Sequence, residues 1–125
     1  MDSLELKQRT KQFALRVLKV AEELPKGVSA RVLANQIARS GTSVAANYRA
    51  ACKARSKAEF VAKLGVVEEE ADETQFWLEL IGESGLVPAA RLELLRREAA
   101  ELTAIMAAPP KTARLPTRPS SAIGN

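Results

Sequence analysis

The sequence predicts an all-α protein, an antiparallel up-down-up-down four-helix bundle. Three observations carry that prediction. Four segments repeat apolar residues at steps of three and four, Pro and Gly breaks separate them, and no stretch shows the period-two alternation of a half-buried strand. Connections of a few residues oblige consecutive helices to run antiparallel. The 125 residues, 46% hydrophobic and 27% charged, suit one globular domain with a modest core of its own.

The first helix runs from about Ser3 to Leu24, with Leu6, Phe13, Val17, Val20 and Leu24 on one face, and Pro25-Lys26-Gly27 ends it. The second starts near Ser29, a residue type that suits an N-cap, and continues to about Ala54. Its stripe is Ala30, Leu33, Ile37, Val44, Tyr48 and Ala51. Gly41 lies inside this helix at a cost of about 1 kcal/mol against Ala, which marks a close helix approach or a bend.

The third helix opens on a capping box, Ser56-Lys57-Ala58-Glu59, in which the Ser hydroxyl takes a free N–H of the first turn while the Glu reaches back. It continues to about Ser84, where Gly85 supplies a left-handed C-terminal residue. Phe60, Leu64, Val67, Ala71, Thr74, Leu78 and Ile81 form an unbroken heptad seam along it. The fourth begins with Pro88 at its first helical position, carries Leu92, Leu95, Ala99, Leu102 and Met106, and stops at Pro109-Pro110. Residues 1–108 are therefore expected to form the bundle. Residues 109–125, with four prolines, three basic residues and no acid, read as a flexible basic tail.

Composition removes most catalytic chemistry. The chain has no histidine, which excludes Ser-His-Asp and Cys-His nucleophilic sites, His-ligated metals and a histidine general base. Cys52 is the only cysteine, so an internal disulfide and a multi-cysteine zinc site are excluded too. The expectation is a protein that binds rather than catalyses, with no cofactor and no metal. No apolar run approaches a membrane span, and Met1 to Glu5 is too polar for a signal peptide, so the expected location is cytoplasmic, with no membrane partner.

The net charge of +4 is mild, but the charges are segregated. Between Glu23 and Glu59 there is no acid, while seven Lys and Arg residues lie there. From Glu59 to Glu83 the balance reverses, and eight acids face only Lys63. A hairpin of helices two and three about Arg55-Ser56 brings Arg39 level with Asp72 and its neighbours Glu69 and Glu73, an intramolecular ion-pair arrangement. Arg39, Glu70 and Glu73 are read as structural polar residues. Arg49, Lys53, Arg55 and Lys57 meet fewer acids near the hairpin tip and form either an anion-facing patch or a solvated helix end.

Glu68-Glu69-Glu70 with Asp72 and Glu73 invites a metal reading, but di-iron bundles use Glu-x-x-His pairs, which are impossible here. Ser40 and Asn47 lie one heptad apart on the seam of Leu33, Ile37, Val44 and Ala51, so both are expected to face the bundle. There they fix helix register, or alternatively line a polar ligand pocket. Around Phe76-Trp77-Leu78 and Leu80-Ile81 the third helix is apolar over most of its circumference, which implies subunit contacts.

The stretch from Gln36 through Arg49 (QIARSGTSVAANYR) resembles the signature of the four-helix-bundle family named for proteins encoded in intervening sequences of large-subunit ribosomal RNA genes. The likeness continues through Ser56 to Phe60, Lys63-Leu64, Glu68 to Thr74 (EEEADET), Trp77 to Leu80, Glu98 to Leu102 and Lys111 to Arg114. One departure stands out: Ala50 and Ala51 follow Arg49 where the family commonly has Glu. The resemblance implies an up-down bundle assembling as a homopentamer, often with a tapered barrel or central channel. A related branch, the accessory variability proteins of diversity-generating retroelements, binds reverse transcriptase and nucleic acid through basic surface. The functional expectation is an oligomeric, non-enzymatic module that binds structured RNA or nucleoprotein through a basic rim of Arg49, Lys53, Arg55 and Lys57. The alternative is an oligomeric scaffold for protein partners, such as a reverse transcriptase, with no nucleic-acid role of its own.

Overall fold

The computed structural model describes residues 1–108, which form four helices: α1 (Ser3–Glu23), α2 (Val28–Ala51), α3 (Lys57–Ser84) and α4 (Ala89–Ala107). The tail expected over 109–125 lies outside the described residues. Each helix packs along the next, α4 touches α1 lightly, and α1 faces α3 and α2 faces α4 only across the diagonals. This is the all-α up-down-up-down bundle that the periodicity predicts.

The core lies where the apolar stripes meet. Phe13 and Val17 of α1, Ile37 and Val44 of α2, Leu64, Val67, Ala71 and Ile81 of α3, and Ala99 and Leu102 of α4 are all fully buried. Burial removes roughly 1.5–3 kcal/mol of apolar exposure for each large side chain, and this term holds the helices together.

Helix ends differ from expectation by one to three residues. α2 begins at Val28 with Gly27 as its N-cap, so Ser29 sits inside the first turn and makes no side-chain cap. It also ends at Ala51, because the chain turns through Cys52 and Lys53 before Ala54 folds back into the core. Pro88 is the N-cap of α4 rather than its first residue. Ser56 does cap α3, accepting from the Glu59 amide at 3.0 Å, but Glu59 reaches past it to accept from the Arg55 amide at 2.7 Å. A complete capping box occurs instead at Asp2 and Glu5 of α1, which the sequence reading did not identify. Gly85 takes the expected left-handed conformation, φ 79°.

Two polar devices fix how the helices meet. Ser40 of α2 is fully buried and shares a 2.8 Å hydrogen bond with the Thr74 hydroxyl of α3. Thr74 also donates to the Glu70 carbonyl, so the pair leaves no orphan in the core. On the open side of the bundle, the Arg9 guanidinium of α1 forks onto Glu98 of α4 at 2.7 and 2.8 Å and reaches Glu101 at 2.5 Å. Arg91 and Glu23 close the other end of this seam at 2.9 Å. The hydrogen bonds that Arg9 donates hold the Glu98 carboxyl below its usual range despite burial, and the same bonds to Glu98 raise the guanidinium in turn.

Asn47 corrects a sequence expectation. It is only half-buried, and its amide donates to the carbonyl and hydroxyl of Ser43 one turn back in the same helix, at 2.9 and 2.7 Å. It therefore ties no helix to another; Tyr48, next in sequence, takes the buried place. Asn47→Ala removes one intrahelical contact and adds a better helix former, so its unfolding free energy should fall within about 0.5 kcal/mol of wild type. Denaturant titration checks this, and a loss above about 1 kcal/mol would restore an interhelical role.

Candidate nucleic-acid interface

The turn between α2 and α3 follows from local sequence. The last helical bonds of α2 give way to Lys53 N–H donating to the Ala50 carbonyl and Ala54 N–H to the Ala51 carbonyl, both 3.0 Å. Ala54 buries its methyl, which leaves its basic neighbours outside. Arg49 in the last turn of α2, Lys53 and Arg55 in the turn, and Lys57 at the start of α3 are all exposed. The structure thus brings the four sequence-selected cations to one end of the bundle.

Pairing separates these cations from other arginines. Arg9, Arg39, Arg91, Arg96 and Arg97 each hold a carboxylate. Among the described residues, none of Arg49, Lys53, Arg55 and Lys57 forms a side-chain ion pair. Glu59, the acid nearest in sequence, spends one oxygen on the Arg55 backbone amide rather than on a guanidinium or ammonium. Four neighbouring positive charges that stay solvated are available to a polyanion, because a phosphate can displace their counterions without first breaking an internal salt bridge.

A fifth cation joins this end from a distant part of the chain. Lys7 of α1 acts electrostatically on Cys52, one residue before Lys53, because α1 starts beside the place where α2 ends. The signal was invisible in the local sequence; only the antiparallel pairing of α1 with α2 supplies it. Asp2 acts on Tyr48 from the same end, so the rim is predominantly rather than wholly basic. Burial pushes the Cys52 thiol and the Tyr48 phenol upward. Cys52 is therefore a protonated, half-buried thiol rather than an activated nucleophile.

The other sequence-selected residues sit away from this rim. Arg39 bonds Gln36, Glu70 and Glu73, with 3.2 Å to each of the first two. Glu73 also accepts from the Trp77 indole at 2.9 Å, which extends the strap along the outside of α2 and α3. Asp72, expected level with Arg39, projects outward instead. Glu70 and Glu73 converge on a guanidinium, and among the described residues no cluster of three His, Cys, Asp or Glu residues could hold a metal ion. Trp77 lies half-buried against the core, while Phe76, edge-to-face with it at 5.0 Å, is the exposed member of the pair. No described helix is long and apolar enough to cross a membrane.

Comparison with known proteins agrees with this architecture. The 23S rRNA-intervening sequence protein family matches over residues 2–108. The fold is also similar to the crystal structure of a protein of unknown function from the S23 ribosomal protein family of Bacteroides thetaiotaomicron VPI-5482. The two are 31% identical, with a TM-score of 0.79, over 86% of this chain and 96% of that one. Among curated proteins none matches.

Proposed function

The chain belongs to the 23S rRNA-intervening sequence protein family, and on that premise we propose that it is a non-catalytic, self-assembling module that binds structured RNA in the cytoplasm. The carrying observation is the hairpin tip, where Arg49, Lys53, Arg55 and Lys57 stand exposed beside Lys7 without ion pairs among the described residues. The family's name supports an RNA setting. Contacts run to phosphates, which position the protein without specifying bases. Self-assembly, in five subunits as the resemblance implies, repeats the tip around one axis and lets individually weak contacts add by multivalency.

The test is fluorescence-anisotropy binding of the full chain to a structured RNA hairpin at low salt. Replacing Arg49, Lys53, Arg55 and Lys57 together by Glu should weaken binding by roughly 100-fold or more, since each lost phosphate contact is replaced by repulsion. Helicity and sedimentation should stay unchanged. Undiminished affinity moves the site elsewhere. No affinity in wild type favours a scaffold for protein partners.

A further inference from the structure

We propose that the outer face of α1 in one copy docks against the outer face of α3 in the next, so that the protein assembles head to tail through two different surfaces. This rests on the self-assembly proposed above and names the surfaces that carry it. The first observation is what these faces hold. On α1, Leu4, Leu15 and Leu18 are 64%, 48% and 39% exposed, and the exposed Lys11 and Lys19 lie among them without ion pairs among the described residues. On α3, Phe76 is 49% and Val61 38% exposed, and the exposed acids Glu69, Asp72 and Glu79 lie among them, likewise without ion pairs among the described residues. One face is apolar and basic, the other apolar and acidic.

The second observation is placement. α1 and α3 are diagonal in the bundle, so their outer faces cannot meet within one copy. They also run in the same direction, since each is antiparallel to α2. Val17 of α1 is level with Gly41 of α2, and the adjoining Ser40 is level with Thr74 of α3, which aligns the heights of the two faces. Counted from those levels at about 1.5 Å per residue, Leu4 falls within about one residue's rise of Val61, and Lys11 and Leu18 fall within about two of Glu69 and Phe76. A partner related by rotation about an axis along the bundle keeps these heights, and so meets unlike charges and apolar side chains within about 3 Å of level. Glu22 falls level with Glu79, the one like-charged match at the far end.

Two different complementary surfaces make a heterologous contact, which closes into a ring when the rotation permits. Because the paired helices are parallel, every copy presents its α2–α3 turn at the same end. That geometry gathers the hairpin-tip cations into one rim.

Sedimentation velocity of the full chain across micromolar concentrations tests the assignment, with circular dichroism as the check of folding. The pair Lys11→Glu with Lys19→Glu, and separately the pair Glu69→Lys with Asp72→Lys, should each raise the dissociation constant at least tenfold. Combining all four substitutions in one chain should restore most of the assembly. Wild-type assembly that persists unchanged in both paired variants, or four-fold variants that stay dissociated, would overturn this interface and leave self-assembly to another face. A wild type that sediments only as monomer would overturn self-assembly itself, a separate failure.

Discussion

Gly41→Val should destabilise the bundle by about 3 kcal/mol, although it replaces the poorest non-proline helix former. A Cβ at Gly41 would lie 2.5 Å from one methyl of Val17 and 2.8 Å from its Cβ. The methyl could rotate away, but the Val17 Cβ is fixed to the α1 backbone, so the two helices must separate to make room. The separation would loosen the α1–α2 core in which Phe13, Ile37 and Val44 are buried, which no local adjustment recovers. Val17→Ala in the same chain should return at least about 1 kcal/mol, the coupling expected of residues in direct contact. Urea unfolding at fixed protein concentration measures both. A Gly41→Val protein as stable as wild type would mean that α1 and α2 do not meet at this point.

Arg9→Met should be the next most damaging change, at about 2 kcal/mol. Losing one partner of a fully buried ion pair costs about 3–5 kcal/mol, whereas exposed pairs contribute about 0–1 kcal/mol. The Glu98 side chain is 17% exposed, which places this clamp between the two cases. The effect also carries a pH signature. Because Glu98 titrates below its ordinary range in the folded protein, its stabilisation is present above the unfolded carboxylate range, around pH 4.5. It is lost as the pH falls through the lower folded value. The gap between wild type and Arg9→Met should therefore be full at pH 7 and close on descending toward pH 3. A gap of constant size would show that packing of the arginine stem, not the carboxylate, holds α4 to α1.

How much of this was legible in the sequence depended on the range of the interaction. Helix number, order and most core positions are local, and the seam from Phe60 to Ile81 appears in the structure as its residues were read. Asn47 was misplaced because a strict seven-residue step drifts against 3.6 residues per turn, and over the eleven residues after Ile37 the core position moves to Tyr48. Ser40, nearer the reference point, kept its place. The start of α2 was misread because Ser29 has the chemistry of a cap while the backbone turns at Gly27. The hairpin-tip cations were legible because α2, the turn and α3 are contiguous. Lys7 was not, since it reaches that end only through the pairing of α1 with α2. The Arg9 clamp was missed for the same reason, as its glutamates lie on the far helix of the chain.

The proposed RNA-facing rim is tested most directly by the salt dependence of binding, compared between wild type and the variant carrying Gln at positions 49, 53, 55 and 57. Each phosphate contact contributes about 0.9 to the slope of log affinity against log salt on a duplex. Neutralising these four side chains should make the slope shallower by at least about 2, with helicity and sedimentation preserved. Equal slopes for the two proteins, at equal assembly, would contradict the account, because the phosphates would then be held by other residues.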